Sequence, residues 1–423
     1  MILRNWNMKT VVSVAAMLAL VLFASCSEVN YSGDVENVDG EMNSASYVRF
    51  DVDWSGAGDG HPEDIVVLMN RIQNVTLHYA WRVDEAGNPL SPVTEPLQEG
   101  EQARRMIVQN GLYTIMGVAA YSQEDFAIPD LDTYEDSLTY KTKDLYIVVP
   151  EVPDSMRFKQ NLVDLNPMCP FIRQTEPIYY LRSDNNALIS RVNESEDSTV
   201  TVSVAMQKLT HNFNFQVFLK TEDQSRADGS VTEVQDSVIG VVYLDTLKAA
   251  ISGVPCRAQL MSGYVSGENT GKIGFHLKKR SETRVMDETS GLNLYEGTYE
   301  GAVDAFGLFS SADLENLAGA GILNIFLYPK IYYENASGEK VAMTRVFHAS
   351  LNIKEEIDGA KIMVQVPDKN FYVYAKDGDT RLDIRTSIVL SYEDVLAGTS
   401  QGLKEWTTNE LYPDNNFNPG LEM

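Results

Sequence analysis

Basic residues, histidines, cysteines and helical periodicity are all scarce in this chain, and each shortage removes a class of function. Lys and Arg number 34 against 60 Asp and Glu, a formal charge of −26. Nucleic acid repels so acidic a chain, and no basic stripe compensates. Nucleic-acid binding is therefore excluded, and so is adhesion to anionic lipid through charge alone. The five histidines, His61, His78, His211, His276 and His348, never stand at zinc-ligand spacing with a second His or Cys. One Gly-x-Ser-x-Gly spacing occurs, from Gly398 to Gly402, but in a chain with so little helical periodicity it lacks the strand–turn–helix context of a nucleophile elbow, and no phosphate loop occurs. Acidic pairs such as Asp51 and Asp53 share a strand face and could serve a hydrolase. With so many acids, however, some pairing is inevitable. Asp51 to Gly56 opens like a calcium loop, but the twelfth position is Pro62, where a bidentate Glu is required. The expectation is a protein that binds without catalysing, with no metal and no cofactor.

Three cysteines are too few for a disulfide framework. Cys169 and Cys256 could pair in an exported protein or remain two buried thiols, because spacing does not give distance. Cys26 is different. Arg4 and Lys9 precede an uncharged apolar run from Val11 to Phe23. That run is short for a membrane span of about 20 residues but right for a signal-peptide core. It ends in Phe23-Ala24-Ser25 immediately before Cys26, which resembles a bacterial lipobox, with Phe where Leu is commoner. The resemblance implies cleavage between Ser25 and Cys26 and acylation of Cys26. Residues 1–25 are then the signal peptide, 398 residues remain, and losing Arg4 and Lys9 takes the charge to −28. Several acyl chains together anchor stably, where one alone binds marginally.

The segment after Cys26 cannot bury enough apolar surface to order itself. Ser27 to Ser46 is rich in Ser, Gly, Asn and acid, and lacks Lys and Arg. Residues 26–46 therefore read as a flexible, lipidated tether.

Beyond it the dominant period is two. Val48, Phe50, Val52 and Trp54 alternate with polar neighbours, as do Val75 to Val83, which run into a turn at Glu85-Ala86-Gly87-Asn88-Pro89. Gly111–Tyr121 and Asp144–Val149 read as strands too. Residues 150–180 carry five prolines and predict no long interior element. The polar stretch Asp184–Ser198 marks a junction near residue 195. Alternation resumes at Val200–Met206, Phe213–Val217 and Ile273–Leu277. A hairpin is expected from Ile322 to Tyr333, turning through 334–338 and returning from Val341 to Ile353. Further strands fit Lys361–Val366, Phe371–Ala375 and Leu382–Leu390, and the tail Glu405–Met423 reads as loop. The best helical stretches, Leu244–Ile251 and Ser311–Leu317, are about two turns each. Many short strands separated by turn signals argue β-sandwiches, one over 47–195 and one over 196–423.

Five Asp-Ser/Thr-apolar triplets resemble the acceptor of Bacteroidetes O-glycosylation, which would modify Ser137, Ser155, Ser198, Ser237 and Thr246. The 21 tyrosines, Tyr179-Tyr180 and Tyr332-Tyr333 among them, could contact sugar or protein if exposed, or simply fit half-buried strands.

The lipobox at Cys26, the acidic tether and the opening strand Tyr47–Trp54 together resemble the fimbrial-anchor and fimbrillin-like lipoproteins of Bacteroidetes. Gly111–Ile115 and Leu209–Phe215 agree. The resemblance implies two tandem transthyretin-like β-sandwiches, an outer-membrane lipoprotein on the cell surface, and fimbrillin-like subunits as partners, engaged by β-strand addition. Polymerising members mature by cleavage after a basic residue. Here the first such residue after Cys26 is Arg49, inside an expected strand, which points to an anchor or accessory protein instead of a shaft subunit. The rival is a glycan-binding surface lipoprotein, which would need a platform of exposed aromatics.

Overall fold

The computed structural model describes residues 45–58, 60–72, 78–129, 131, 145–152, 169–182, 186–190, 199–223, 237–242, 246–286, 293–310, 319–327, 330–334, 337, 340–344, 347–376, 378–390 and 406–407. Six strands come first: β1 (Ala45–Gly56), β2 (Asp64–Arg71), β3 (His78–Asp84), β4 (Pro89–Pro92), β5 (Met106–Gln109) and β6 (Gly111–Ala120). Then come β7 (Tyr146–Val148), β8 (Phe171–Ile172), β9 (Ile178–Arg182), β10 (Ala187–Ile189) and β11 (Thr199–Lys208). The second half supplies β12 (His211–Asp223), β13 (Ser237–Val242), β14 (Thr246–Pro255), β15 (Arg257–Gln259), β16 (Thr270–Met286) and β17 (Asn293–Ala305). Last are β18 (Ile322–Leu327), β19 (Lys330–Glu334), β20 (Lys340–Thr344), β21 (Phe347–Asn352), helix α1 (Lys354–Ala360), β22 (Met363–Gln365), β23 (Tyr372–Tyr374), β24 (Thr380–Leu390) and β25 (Trp406–Thr407).

The expected all-β class holds, with two large sheets. The first runs β4-β3-β2-β6-β9-β11-β1-β5, and β10 also pairs with β6. Alternate residues of these strands, among them Val48, Phe50, Val67, Met106, Tyr113, Ile115, Leu181 and Met206, form a single buried cluster. One face of one sheet can pack on itself only if the sheet curls. The curl is closed where Arg104 N–H donates to Leu90 O at 2.8 Å and Phe50 N–H donates to Gly87 O at 2.9 Å. Gly87 has φ +83°, and a Cβ there would run into the carbonyl of Phe50, so the turn can approach β1 only as glycine.

The second sheet runs β24-β12-β17-β16-β14-β18-β21-β25, with β8 added beside β16. Its inward residues, such as Phe215, Phe275, Leu277, Tyr299 and Ile384, share a cluster with Val66, Leu68, Met116 and Val118 from the outward face of the first sheet. A small bridging layer lies in that shared core. In it β7 pairs with β15, Ala258 with Val265, and Val265 with Tyr372 of β23, which pairs with β22.

Several expectations are corrected. β1 starts at Ala45, inside the stretch assigned to the tether. Leu244–Ile251 is no helix: from Thr246 it is β14, paired on both sides by β16 and β18. Ser311–Leu317 lies outside the described residues. The single hairpin over 322–353 is two nested pairs, β18 with β21 in the large sheet and β19 with β20 in a small one. Within the tail expected as loop, β25 pairs with β21. β9 begins directly after Pro177 and is interior, between β6 and β11. The chain passes from the first sheet to the second between Lys208 and His211, while β7 and β8 already pair with strands of the second half.

Candidate interaction surface

Of the residues singled out in the sequence, Ser25, Cys26, Ser137, Ser155 and Ser198 lie outside the described residues. Ser237 opens β13 opposite Glu334, and half-buried Thr246 opens β14 opposite Lys278. Cys169 and Cys256 are free thiols. They flank the start of β16: the Cys169 thiol lies 3.8 Å from Thr270 O, and Cys256 N–H donates to Asn269 O at 2.9 Å. Burial, reinforced by nearby Cys169, pushes the Cys256 thiol up to about 12. At neutral pH it is not the thiolate that would exchange disulfides.

The histidines take distinct positions. His78 is buried in β3, and His276 is exposed in β16 opposite Lys248. His61 stacks on Trp54 with ring centroids 4.5 Å apart, and its Nδ1 lies 3.4 Å from Glu85. Trp54 donates from its indole to Glu85 O at 2.9 Å and meets the edge of Tyr179. Tyr179 and Tyr180 are buried, so they give no platform. Tyr121 is the exposed ring of this group. One face of Trp54 is already taken by His61, which leaves little open aromatic surface for a sugar ring at this cluster.

Where the chain passes between the sheets, side chains from both halves meet. Thr210 Oγ1 accepts from Ile178 N–H at 2.9 Å. His211 stacks on Tyr374 with centroids 3.5 Å apart, and Lys208 Nζ lies 3.7 Å from Asp304, to which Asn212 donates. Burial pushes His211 down to about 3, and the Lys208 cation adds to the shift. Burial raises the Asp304 carboxyl, with Lys208 opposing. The imidazole is neutral and its ring face is covered, so this cluster joins two sheets and offers no open site for chemistry.

The neutral, half-buried imidazole gives the acid response a definite sign. Below pH 6.5 the unfolded chain protonates His211 and the folded chain does not, so stability falls as pH drops from about 6.5 to 3. His211→Gln should flatten that decline in a melting-temperature series. Asp304 pulls in the opposite sense but is common to both proteins. An identical slope for the two would refute the assignment.

Open strand edges are the other feature. β24 pairs in parallel with β12 through eleven consecutive positions, Phe213 with Thr380 to Asp223 with Leu390. It ends the sheet, and no strand pairs with its outer side among the described residues. Helix α1 packs near it. Leu382 and Ile384 point into the core, while Arg381, Asp383 and Arg385 are exposed, with Arg381 and Asp383 paired at 2.7 Å. β22 is the edge of the bridging layer and carries exposed Val364 directly opposite exposed Val373. Sequence could place these strands by their alternation, but not their position at an edge.

No family model and no curated protein matches this chain. Among solved structures, a candidate adhesin from Bacteroides ovatus is 12% identical, with a TM-score of 0.36 over 82% of this chain and 94% of its own. The fimbrial anchor protein Mfa2 from Porphyromonas gingivalis is 9% identical, with a TM-score of 0.34 over 78% of this chain and 96% of its own. A candidate polysaccharide-binding protein from Bacteroides thetaiotaomicron is 11% identical, with a TM-score of 0.30 over 82% of this chain and 92% of its own. Each is a distant likeness.

Proposed function

We propose that this chain is a lipid-anchored surface protein that holds or helps assemble a filament of β-rich subunits, acting by binding and not by catalysis. Two tandem β units, meeting near residues 195–211, would carry that role. The observation that supports it is β24, an eleven-residue strand paired on one side only among the described residues. Unpaired N–H and C=O groups along a strand are a template for another chain's strand. The exposed charges of Arg381, Asp383 and Arg385 would discourage indiscriminate pairing and leave the edge for a matched partner. Arg49 lies within β1, in register with Thr201 of β11, which speaks against maturation cleavage there and for an anchor. A glycan ligand is less favoured, because Trp54 and Tyr179 are engaged within the fold.

The test is capture in place. A photoreactive side chain at position 383 of the membrane-derived protein should cross-link to a filament subunit, identified by mass spectrometry, and the same group in place of buried Leu351 should not. Recovery of no such subunit from either would defeat the assembly role.

A further inference from the structure

The first sheet has two rims, and they differ. At one, β11 ends at Lys208 and leads into the second half, near Trp54, Tyr121 and Asp304. At the other the described chain begins, with Ala45 opposite Gln109 of β5. Hydrogen bonds tie several strand ends together at this second rim. Ser46 Oγ donates to Asn110 at 2.6 Å, Arg71 donates to Gln109 at 3.3 Å, and Gly111 stands opposite Ile189 of β10.

Three of the large apolar side chains that the fold leaves exposed sit here. Ile72 is 41% exposed, Ile107 52% and Leu188 63%. Ile72 N–H donates to Leu112 O, and Leu188 is in register with Leu112, so Ile72, Leu112 and Leu188 lie side by side from the end of β2 across β6 to β10. Around the rim, Ile107 faces Tyr47, whose ring lies 5.2 Å from the Arg105 guanidinium. Arg49 follows Tyr47 on the same face and donates to Thr201 at 3.0 Å. Among the described residues 45–49, 71–72, 107–112, 186–190 and 199–201 there is no Asp or Glu, although the sequence between 190 and 199 carries Glu194, Glu196 and Asp197.

Aliphatic side chains, a tyrosine and arginines, in segments that carry no acid, are the composition that a lipid–water interface favours. The chain segment that would carry the lipid, 26–44, joins the fold at this same rim. We infer that this rim rests on the bilayer, with Ile72, Ile107 and Leu188 at the lipid boundary and Arg49 and Arg105 at headgroup level. The inference deepens the anchored reading and rests on lipidation at Cys26. The tether alone does not require it, since about nineteen extended residues reach up to roughly 65 Å. The exposed apolar ends are what bring the fold down. The second sheet and its open edge then face away from the membrane.

The experiment uses the full lipidated chain, purified from membranes and reconstituted into vesicles of phosphatidylethanolamine and phosphatidylglycerol. Photoreactive side chains are placed at positions 107, 188 and, as a control in the second half, 364. The expected result is at least tenfold more phospholipid adduct at 107 and 188 than at 364. In a second arm, hydrogen exchange of the 107–112 amides slows several-fold on vesicles, and Ile107→Glu with Leu188→Glu abolishes the slowing. If the protein floats with the vesicles yet 188 labels no more lipid than 364, or cross-links to protein instead, the inference is overturned and the anchor stands. If the protein does not float with the vesicles, both fall.

Discussion

Phe215→Ala should lower the free energy of unfolding by about 3–5 kcal/mol, a large part of the roughly 5–15 kcal/mol available to a typical domain. Phe215 is 1% exposed and its ring lies 4.9 Å from that of Phe275. Its strand, β12, is paired along its length by β17 on one side and β24 on the other. The backbone cannot slide inward to fill the space, so most of the lost volume stays as a cavity. Phe215→Leu keeps most of the volume and should cost far less, near about 1.5 kcal/mol. Val364→Ala, on the exposed face of β22, should stay within about 0.5 kcal/mol. A denaturant series reads all three, with the slope unchanged if only stability has moved. A Phe215→Ala midpoint matching that of Val364→Ala would mean that the shared core is not closed at this point.

The burial behind that prediction is legible in the sequence, because Phe213, Phe215 and Val217 alternate with Asn212, Asn214 and Gln216. Period two is the property a half-buried strand must have, and clean alternation marks strands such as β1, β11 and β12. The period misleads where both faces are buried. In β14, Ala249, Ala250 and Ile251 are all interior, so the apolar run has no strand period and passes for a short helix. β2 escapes notice for the same reason, since Ile65 to Met69 is buried throughout. Helix α1 is hidden in the opposite way. Ile357 is its only buried residue and no side chain caps its start, so nothing in its seven residues announces a helix. The prolines of 150–180 suggest a bar to interior strand, yet Pro177 stands just before β9, where no ladder donor is needed.

The interaction surface is less legible than the fold, and for a physical reason. An edge is defined by the strand that is missing beside it, and a strand's own residues do not encode that. Ile107 sits between buried Met106 and Val108, and only the register with Tyr47 reveals that it points outward. His211 and Tyr374 lie far apart in sequence, and their stacking depends on β23 turning back over the junction. Cys26 is the opposite case, a proposed site read entirely from local sequence.

Cys26→Ser should therefore have the largest effect on where the protein is found. It removes the thiol that would carry the diacyl group and, with it, the acylated amino terminus that cleavage would create. No helix among the described residues is long and apolar enough to cross a membrane. The three exposed aliphatic side chains at the rim are already about half covered by the fold, so together they could add at most a few kcal/mol, since one side chain contributes about 1.5–3 kcal/mol when it goes from fully exposed to fully covered. A single myristoyl chain binds with an association constant of only about 10⁴ M⁻¹, and several chains are needed for stable anchorage. The variant should thus leave the membrane pellet almost entirely after a salt wash, while its melting temperature stays that of the parent, because residue 26 precedes the first strand. Retention of most of the variant in the pellet, together with an intact mass of the parent that shows no acyl chains on residue 26, would show that something other than lipid on Cys26 holds the protein.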